Sequence, residues 1–117
     1  MLNTVTLIGR LTRDAELGQI PNERRTPKAR FTLAVDRDYE VDGETPTDFW
    51  PVDIVGEYAS RLAAHLTKGR LVAVAGSAHL DRREDGGQHK TFAYVSARQV
   101  RFLDHRPDGA VQPAMEL

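Results

Sequence analysis

The chain switches between two hydrophobic periods. Residues 3–11, "NTVTLIGRL", set Val5, Leu7 and Leu11 on one face and Thr4, Thr6 and Arg10 on the other, the pattern of a half-buried strand. Gly9 inside that run predicts a bulge or a close backbone approach. "RFTLAV" (30–35) repeats the alternation through Phe31, Leu33 and Val35, with room to run on to Tyr39. Asp42-Gly43 then marks a turn. "FWPVDIV" (49–55) is a third strand, and Pro51, which lacks an N–H, places it locally at an edge or a bulge. The period changes at "EYASRLAAHLTKG" (57–69), where Ala59, Leu62, Ala63 and Leu66 form one helical stripe and Lys68-Gly69 ends it. "RLVAVAGSAHL" (70–80) and "TFAYVSARQVRFL" (91–103) return to strand around a polar hairpin tip, "DRREDGGQHK" (81–90).

Two segments show no period. "DAELGQIPNERRTPK" (14–28) carries Gly18, Pro21, Asn22 and Pro27 and reads as loop. "DHRPDGAVQPAMEL" (104–117) reads as a tail, so the expected organisation is one domain over 1–104 and a flexible C-terminal tail over 105–117. The order is three strands, one helix, two strands. An all-β chain with one helix, its strands antiparallel and its helix between strands 3 and 4, fits a five-stranded Greek-key OB barrel. A ferredoxin-like fold would need a helix where residues 14–28 carry two prolines, and an SH3-like barrel would need no helix of this length.

Phe49 and Trp50 are adjacent in the third strand, so they point to opposite faces. Trp50 shares its face with Val52 and Ile54 and is expected in the core or at a subunit interface, with Val5 and Leu7. Phe49 shares the mixed face with Pro51, Asp53 and Val55. Phe31 and Phe102 read as core and Tyr58 as a packing residue. Phe92 and Tyr94 share one face of the last strand, whose direction the pattern leaves open.

Composition narrows the function. The 117 residues are 40% apolar, enough for one core, without an apolar run long enough to span a membrane or a signal-peptide layout. The expectation is a soluble, cytoplasmic protein. Cys is absent, which excludes disulfides and thiolate chemistry. Net charge is −1, yet the charges segregate. Arg10, Arg13, Arg24, Arg25, Lys28 and Arg30 dominate residues 10–30, acids dominate 36–57, and Arg82, Arg83 and Lys90 sit in the hairpin. That is the outline of a basic groove beside an acidic loop. Asp38, Glu40, Asp42 and Gly43 imitate the first half of a calcium loop, but its closing carboxylate would fall at Phe49. The four histidines show no ligand spacing, and no phosphate-binding loop or nucleophile elbow is present. The reading is a non-enzyme without metal or cofactor.

"LNTVTLIGRLTRDAEL", "PN", "ARFTLAV", the Glu57-Tyr58-Ala59 opening of the helix, "LTKGRLVAVAG" and "VRFLD" together resemble the bacterial single-stranded DNA-binding protein (SSB) family, over Leu2 to about Asp104. The resemblance implies an OB fold, a homotetramer, with a dimer as the other option, and sequence-tolerant binding of single-stranded DNA in replication, recombination and repair. It implies base stacking on Tyr39 and Phe49, with phosphate contacts from Arg10, Arg24, Arg25, Lys28, Arg82, Arg83 and Lys90. The chain departs from the family pattern in two places. Residues 81–90 carry no aromatic, with Arg82 and Arg83 in that neighbourhood, and Val55 stands where members often have an aromatic. The last ten residues hold only Asp108 and Glu116 as acids and no aromatic, so repair partners recruited through an acidic tail are not expected. The alternative is a tail-less OB module of a replication-restart or primosome complex that acts mainly through protein contacts.

Overall fold

A sheet whose strands alternate apolar and polar can bury its apolar face by curling on itself, and this chain does so. The computed structural model describes residues 1–104 together with 115 and 116. Its elements are β1 (Val5–Leu11), β2 (Glu16–Gln19), β3 (Pro27–Asp36), β4 (Thr47–Val55), α1 (Glu57–Ala63), β5 (Leu71–Asp85), β6 (Gln88–Phe102) and β7 (Met115–Glu116). β1 pairs with both β5 and β3, β3 with β4, β4 with β6, and β6 with β5, which closes a ring. The inward positions Leu33, Val52, Ile54, Val72, Val74, Val95 and Val100 fill the interior and are fully buried. Val5, Leu7 and Trp50 pack against that core as partly buried side chains. The OB barrel expected from the element order is the fold observed.

β1 must serve two neighbours, and Gly9 makes this possible. A Cβ there would lie 2.2 Å from the backbone oxygen of Ala34, so β1 passes β3 at a distance only glycine allows.

Four local expectations need correction. First, Glu16–Gln19 is a strand, β2, paired antiparallel with Pro27–Arg30, so the helix lies between the fourth and fifth strands rather than the third and fourth. All four β2 residues are exposed, so the strand rests on backbone pairing and has no buried face to betray it. Second, the barrel is not wholly antiparallel: β4 and β6 run parallel where Val52 meets Val95 and Asp53 meets Ser96. Pro51 falls one residue before that register begins and is paired with Thr32 on β3. Third, α1 ends at Ala63, not near Gly69. The carbonyls that would continue it are taken elsewhere, His65 by Arg70 Nη1 (3.2 Å) and Leu66 by the Ala15 amide (2.8 Å). Its stripe still reaches the core through Tyr58, Ala59 and Leu62, with Leu66 following. Fourth, β3 stops at Asp36 and does not reach Tyr39.

The β5–β6 hairpin is longer than its polar tip implied. Pairing runs out to Asp85 and Gln88, and the turn is Gly86-Gly87 with φ of 59° and 82°. Positive φ at both central residues is the tight turn whose twist suits a hairpin. The flexible tail read over 105–117 lies outside the described residues except for Met115–Glu116, whose backbone pairs with β6 at Val100 and Gln99.

Arg70 and Asp104 tie the end of the barrel together. The Arg70 side chain is almost wholly buried, lies over the Phe102 ring at 4.4 Å, and donates from Nε to both oxygens of Asp104 (3.0 and 3.1 Å). Burial pushes the Asp104 carboxyl up, but bonds from Arg70 and the Leu71 amide outweigh that and hold it below its ordinary value. A depressed carboxylate stabilises the fold above its unfolded pKa and loses that contribution as pH falls through the folded value. Asp104→Asn should therefore lower the melting temperature at pH 7. The gap to the parent should shrink once pH drops below about 4, the unfolded carboxylate range; a gap independent of pH would contradict the ion pair. Gly9→Ala should cost at least about 1–3 kcal/mol through overpacking against Ala34, read as a loss of several degrees in thermal melting.

Candidate nucleic-acid interface

The residues facing away from the barrel interior on β3, β4, β5 and β6 form one continuous surface. Register places Ala34 beside Phe49, Thr32 beside Pro51, Arg30 beside Asp53 and Lys28 beside Val55. The parallel join carries the row on from Asp53 to Ser96, and from there Ser96 pairs Ser77, Tyr94 pairs His79, Phe92 pairs Asp81 and Lys90 pairs Arg83. Directly paired residues share a face, so these side chains line one side of the sheet and its ribbon.

Phe49 is 63% exposed there, whereas Trp50 on the same strand packs inward. Phe92 is 47% exposed on the ribbon, and Arg83 lies over its ring at 5.5 Å. Tyr94 is half-buried between the Arg30 guanidinium (5.8 Å to the ring centroid) and a stacked His79 ring (5.5 Å, interplanar 27°). The ribbon between the last two strands therefore does carry an aromatic. Sequence reading placed Phe92 beyond the hairpin because it took the tip to span 81–90.

Charge on this face is tightly paired. Arg83 Nε meets Asp81 at 3.2 Å and Lys90 meets Asp85 at 3.7 Å, both exposed pairs of small worth that a phosphate can replace. Asp53 differs. It is only 5% exposed, and Arg30 grips it with Nε and Nη2, the latter at 2.8 Å, while Lys28 lies 3.4 Å away. The hydrogen bond to Asp53 raises the Arg30 pKa further above its already high ordinary value.

The expected site residues divide. Phe49, Lys28, Arg83 and Lys90 share the face. Arg82 does not: it pairs with Thr91 on the reverse of the ribbon, together with Leu80 and Ala93. Arg24 and Arg25 are exposed in the turn joining β2 to β3, where Arg25 takes a left-handed φ of 48°. Arg10 stands across from Ala34, but its guanidinium bonds the Gly69 carbonyl at 3.0 Å. Tyr39 is 51% exposed in the β3–β4 loop and is held through Arg37, whose Nη1 bonds its hydroxyl. Arg37 in turn grips Asp48 with two bonds (2.9 and 3.0 Å), which hold the Asp48 carboxyl below its ordinary range. Arg30, Tyr94 and Phe92 join this face: Arg30 through the β3–β4 register, and Phe92 and Tyr94, whose direction the sequence left open, through the β5–β6 register.

Known proteins resemble this chain in sequence and in fold. Residues 2–103 match the model of the single-strand binding protein family. Single-stranded DNA-binding protein 2 of Clostridium acetobutylicum is 37% identical over 95% of this chain and 84% of its own length. The single-stranded DNA-binding protein of Caldanaerobacter subterraneus subsp. tengcongensis is 43% identical over 89% of this chain and 69% of its own. Among solved structures, a Plasmodium falciparum SSB complex with ssDNA superposes with a TM-score of 0.76 at 26% identity, covering 89% of this chain and 96% of that one. The chain belongs to the single-strand binding protein family.

Proposed function

We propose that this protein binds single-stranded DNA with little regard to sequence, by stacking bases on exposed aromatics and pairing phosphates with the flanking cations. The observation that carries the reading is Phe49, a large ring left 63% exposed on a sheet face that also presents Phe92, Arg83 and Lys90. Every base has a π face, so such platforms tolerate sequence, while phosphate contacts supply affinity and salt dependence. Of the two features behind the protein-interaction alternative, an end without an acidic tip and a hairpin without an aromatic, Phe92 on the ribbon weakens the second.

Further parts of the reading rest on the family. A homotetramer is the assembly proposed, with a cytoplasmic location and a role in genome maintenance. Val5 and Leu7 pack inward, so the self-association face is better sought at Ile8, 55% exposed on β1 beside Ala73. The tail over 105–117 is proposed to be dispensable for DNA binding.

Anisotropy of a labelled oligo(dT) tests the main claim, since Trp50 packs away from this face and its own fluorescence is a poor reporter. Affinity should fall steeply with salt, with a slope of about −0.7 per phosphate contact in log–log form, and duplex DNA should bind far more weakly. Salt-independent affinity, or equal binding of duplex, would contradict the reading. Phe49→Ala should weaken binding by about five-fold or more with melting unchanged, a range known from single-strand binders themselves rather than derived from this geometry. Trp50→Ala should do the reverse: it removes part of a side-chain burial worth about 3–5 kcal/mol when complete, so melting drops while affinity at low temperature holds. The opposite pattern would mean the two rings have exchanged roles.

A further inference from the structure

Asp53 is an anomaly on this surface. It places a carboxylate in the middle of a face proposed to meet a polyanion, and it is nearly buried. A buried charge is retained at a cost unless paired and hydrogen-bonded. Here Arg30 and Lys28 together supply two positive charges against the one of Asp53, with Glu16, paired with Arg30 across β2–β3, and Asp81 as the next acids. Arg30 engages Asp53 through Nε and Nη2. That geometry leaves Nη1 with its two hydrogens uncommitted to Asp53, and it fixes the plane of the guanidinium.

The position of that fixed plane is the second observation. Arg30 lies over Tyr94, whose far neighbour is the stacked His79 ring. It also borders three surface hollows: one shared with Arg13, Asp14 and Glu16, one with Glu16 and Lys28, and one with Asp81, Arg83, Phe92 and Tyr94, the last joining rings and a second arginine to a single acid. Its side chain is 42% exposed, so the group is held in place without being covered. A free arginine would lose its rotamer entropy on binding; this one has lost it already on folding.

We propose that Arg30 and Tyr94 form a nucleotide subsite beside Phe49, and that Asp53 is its positioning residue, holding the guanidinium preorganised to meet a phosphate through Nη1 or a base through its plane. The proposal rests on the single-strand reading above. It makes a prediction opposite in sign to simple charge counting. Asp53→Asn removes a negative charge from the DNA face, so electrostatics alone would raise affinity for oligo(dT) by about three-fold at low salt. Loss of the clamp should instead lower it by about three- to ten-fold.

The test is oligo(dT) anisotropy at low and high salt, with thermal melting alongside, on the parent, Asp53→Asn, Arg30→Lys, Arg30→Gln and the Arg30→Gln/Asp53→Asn pair. Arg30→Lys keeps the charge and loses the planar fork, so it should bind nearly as weakly as Arg30→Gln. In the Arg30→Gln background, Asp53→Asn should raise affinity, because only Lys28 and the phosphates then feel the missing charge. Tighter binding by Asp53→Asn in the parent, or parent-like binding by Arg30→Lys, overturns the proposal. If Asp53→Asn fails to fold, the two Arg30 variants, altered at a partly exposed side chain, decide it by the same criterion. Failure of the single-strand reading looks different: the parent itself would not bind.

Discussion

The structure depends on one short join. β4 and β6 meet in parallel at only two positions, Val52 with Val95 and Asp53 with Ser96, and that contact closes the ring of strands. Val52 and Val95 point inward and are fully buried, so the join is anchored by the core. Its outward members, Asp53 and Ser96, bring the β3–β4 sheet face into line with the β5–β6 ribbon. Without the join there would be two separate patches. With it, Phe49, Arg30, Tyr94, Phe92 and Arg83 belong to one surface.

Parity divides labour along β4. Trp50, Val52 and Ile54 serve the interior, while Phe49, Pro51, Asp53 and Val55 serve the outer face. The outer face manages its charges in two ways. Exposed pairs such as Arg83–Asp81 keep cations soluble and give them up cheaply to a stronger anion. The Arg30–Asp53 pair is bidentate on a nearly buried acid, which makes it the harder one to displace. Readily displaced and firmly held pairs side by side suit a surface that grips a flexible polyanion while holding at least one contact in fixed geometry.

Much of this was legible in the chain because burial leaves a period. The alternation in 3–11, 30–35 and 49–55 located β1, β3 and β4, and the apolar pair Val52 and Ile54 settled which of two adjacent rings turns inward. Where neither face is buried, the signal vanishes. β2 is exposed at every residue, and β5 beyond Leu80 is charged at every position (Asp81 to Asp85), so neither of these extended segments could be read. The helix was overextended because its apolar stripe and a last i→i−4 bond, from the Leu66 amide to the Leu62 carbonyl, run past Ala63, while the Gly69 amide turns to the Leu11 carbonyl instead. Arg30 and Asp53 are 23 residues apart. No local pattern joins them; only strand register does.

One outer face of the barrel, the one that carries Phe49, and no other side is proposed to receive single-stranded DNA. The most direct test is a titration of isotope-labelled protein with oligo(dT), following backbone amide shifts by NMR. Perturbations should cluster on β4 around Phe49 and Asp53, on β6 from Phe92 to Ser96 and on β5 from His79 to Arg83, with α1 and the inner half of β1 nearly silent. Shifts concentrated on α1 or β1, with the Phe49–Asp53 and Phe92–Ser96 amides unmoved, would contradict it.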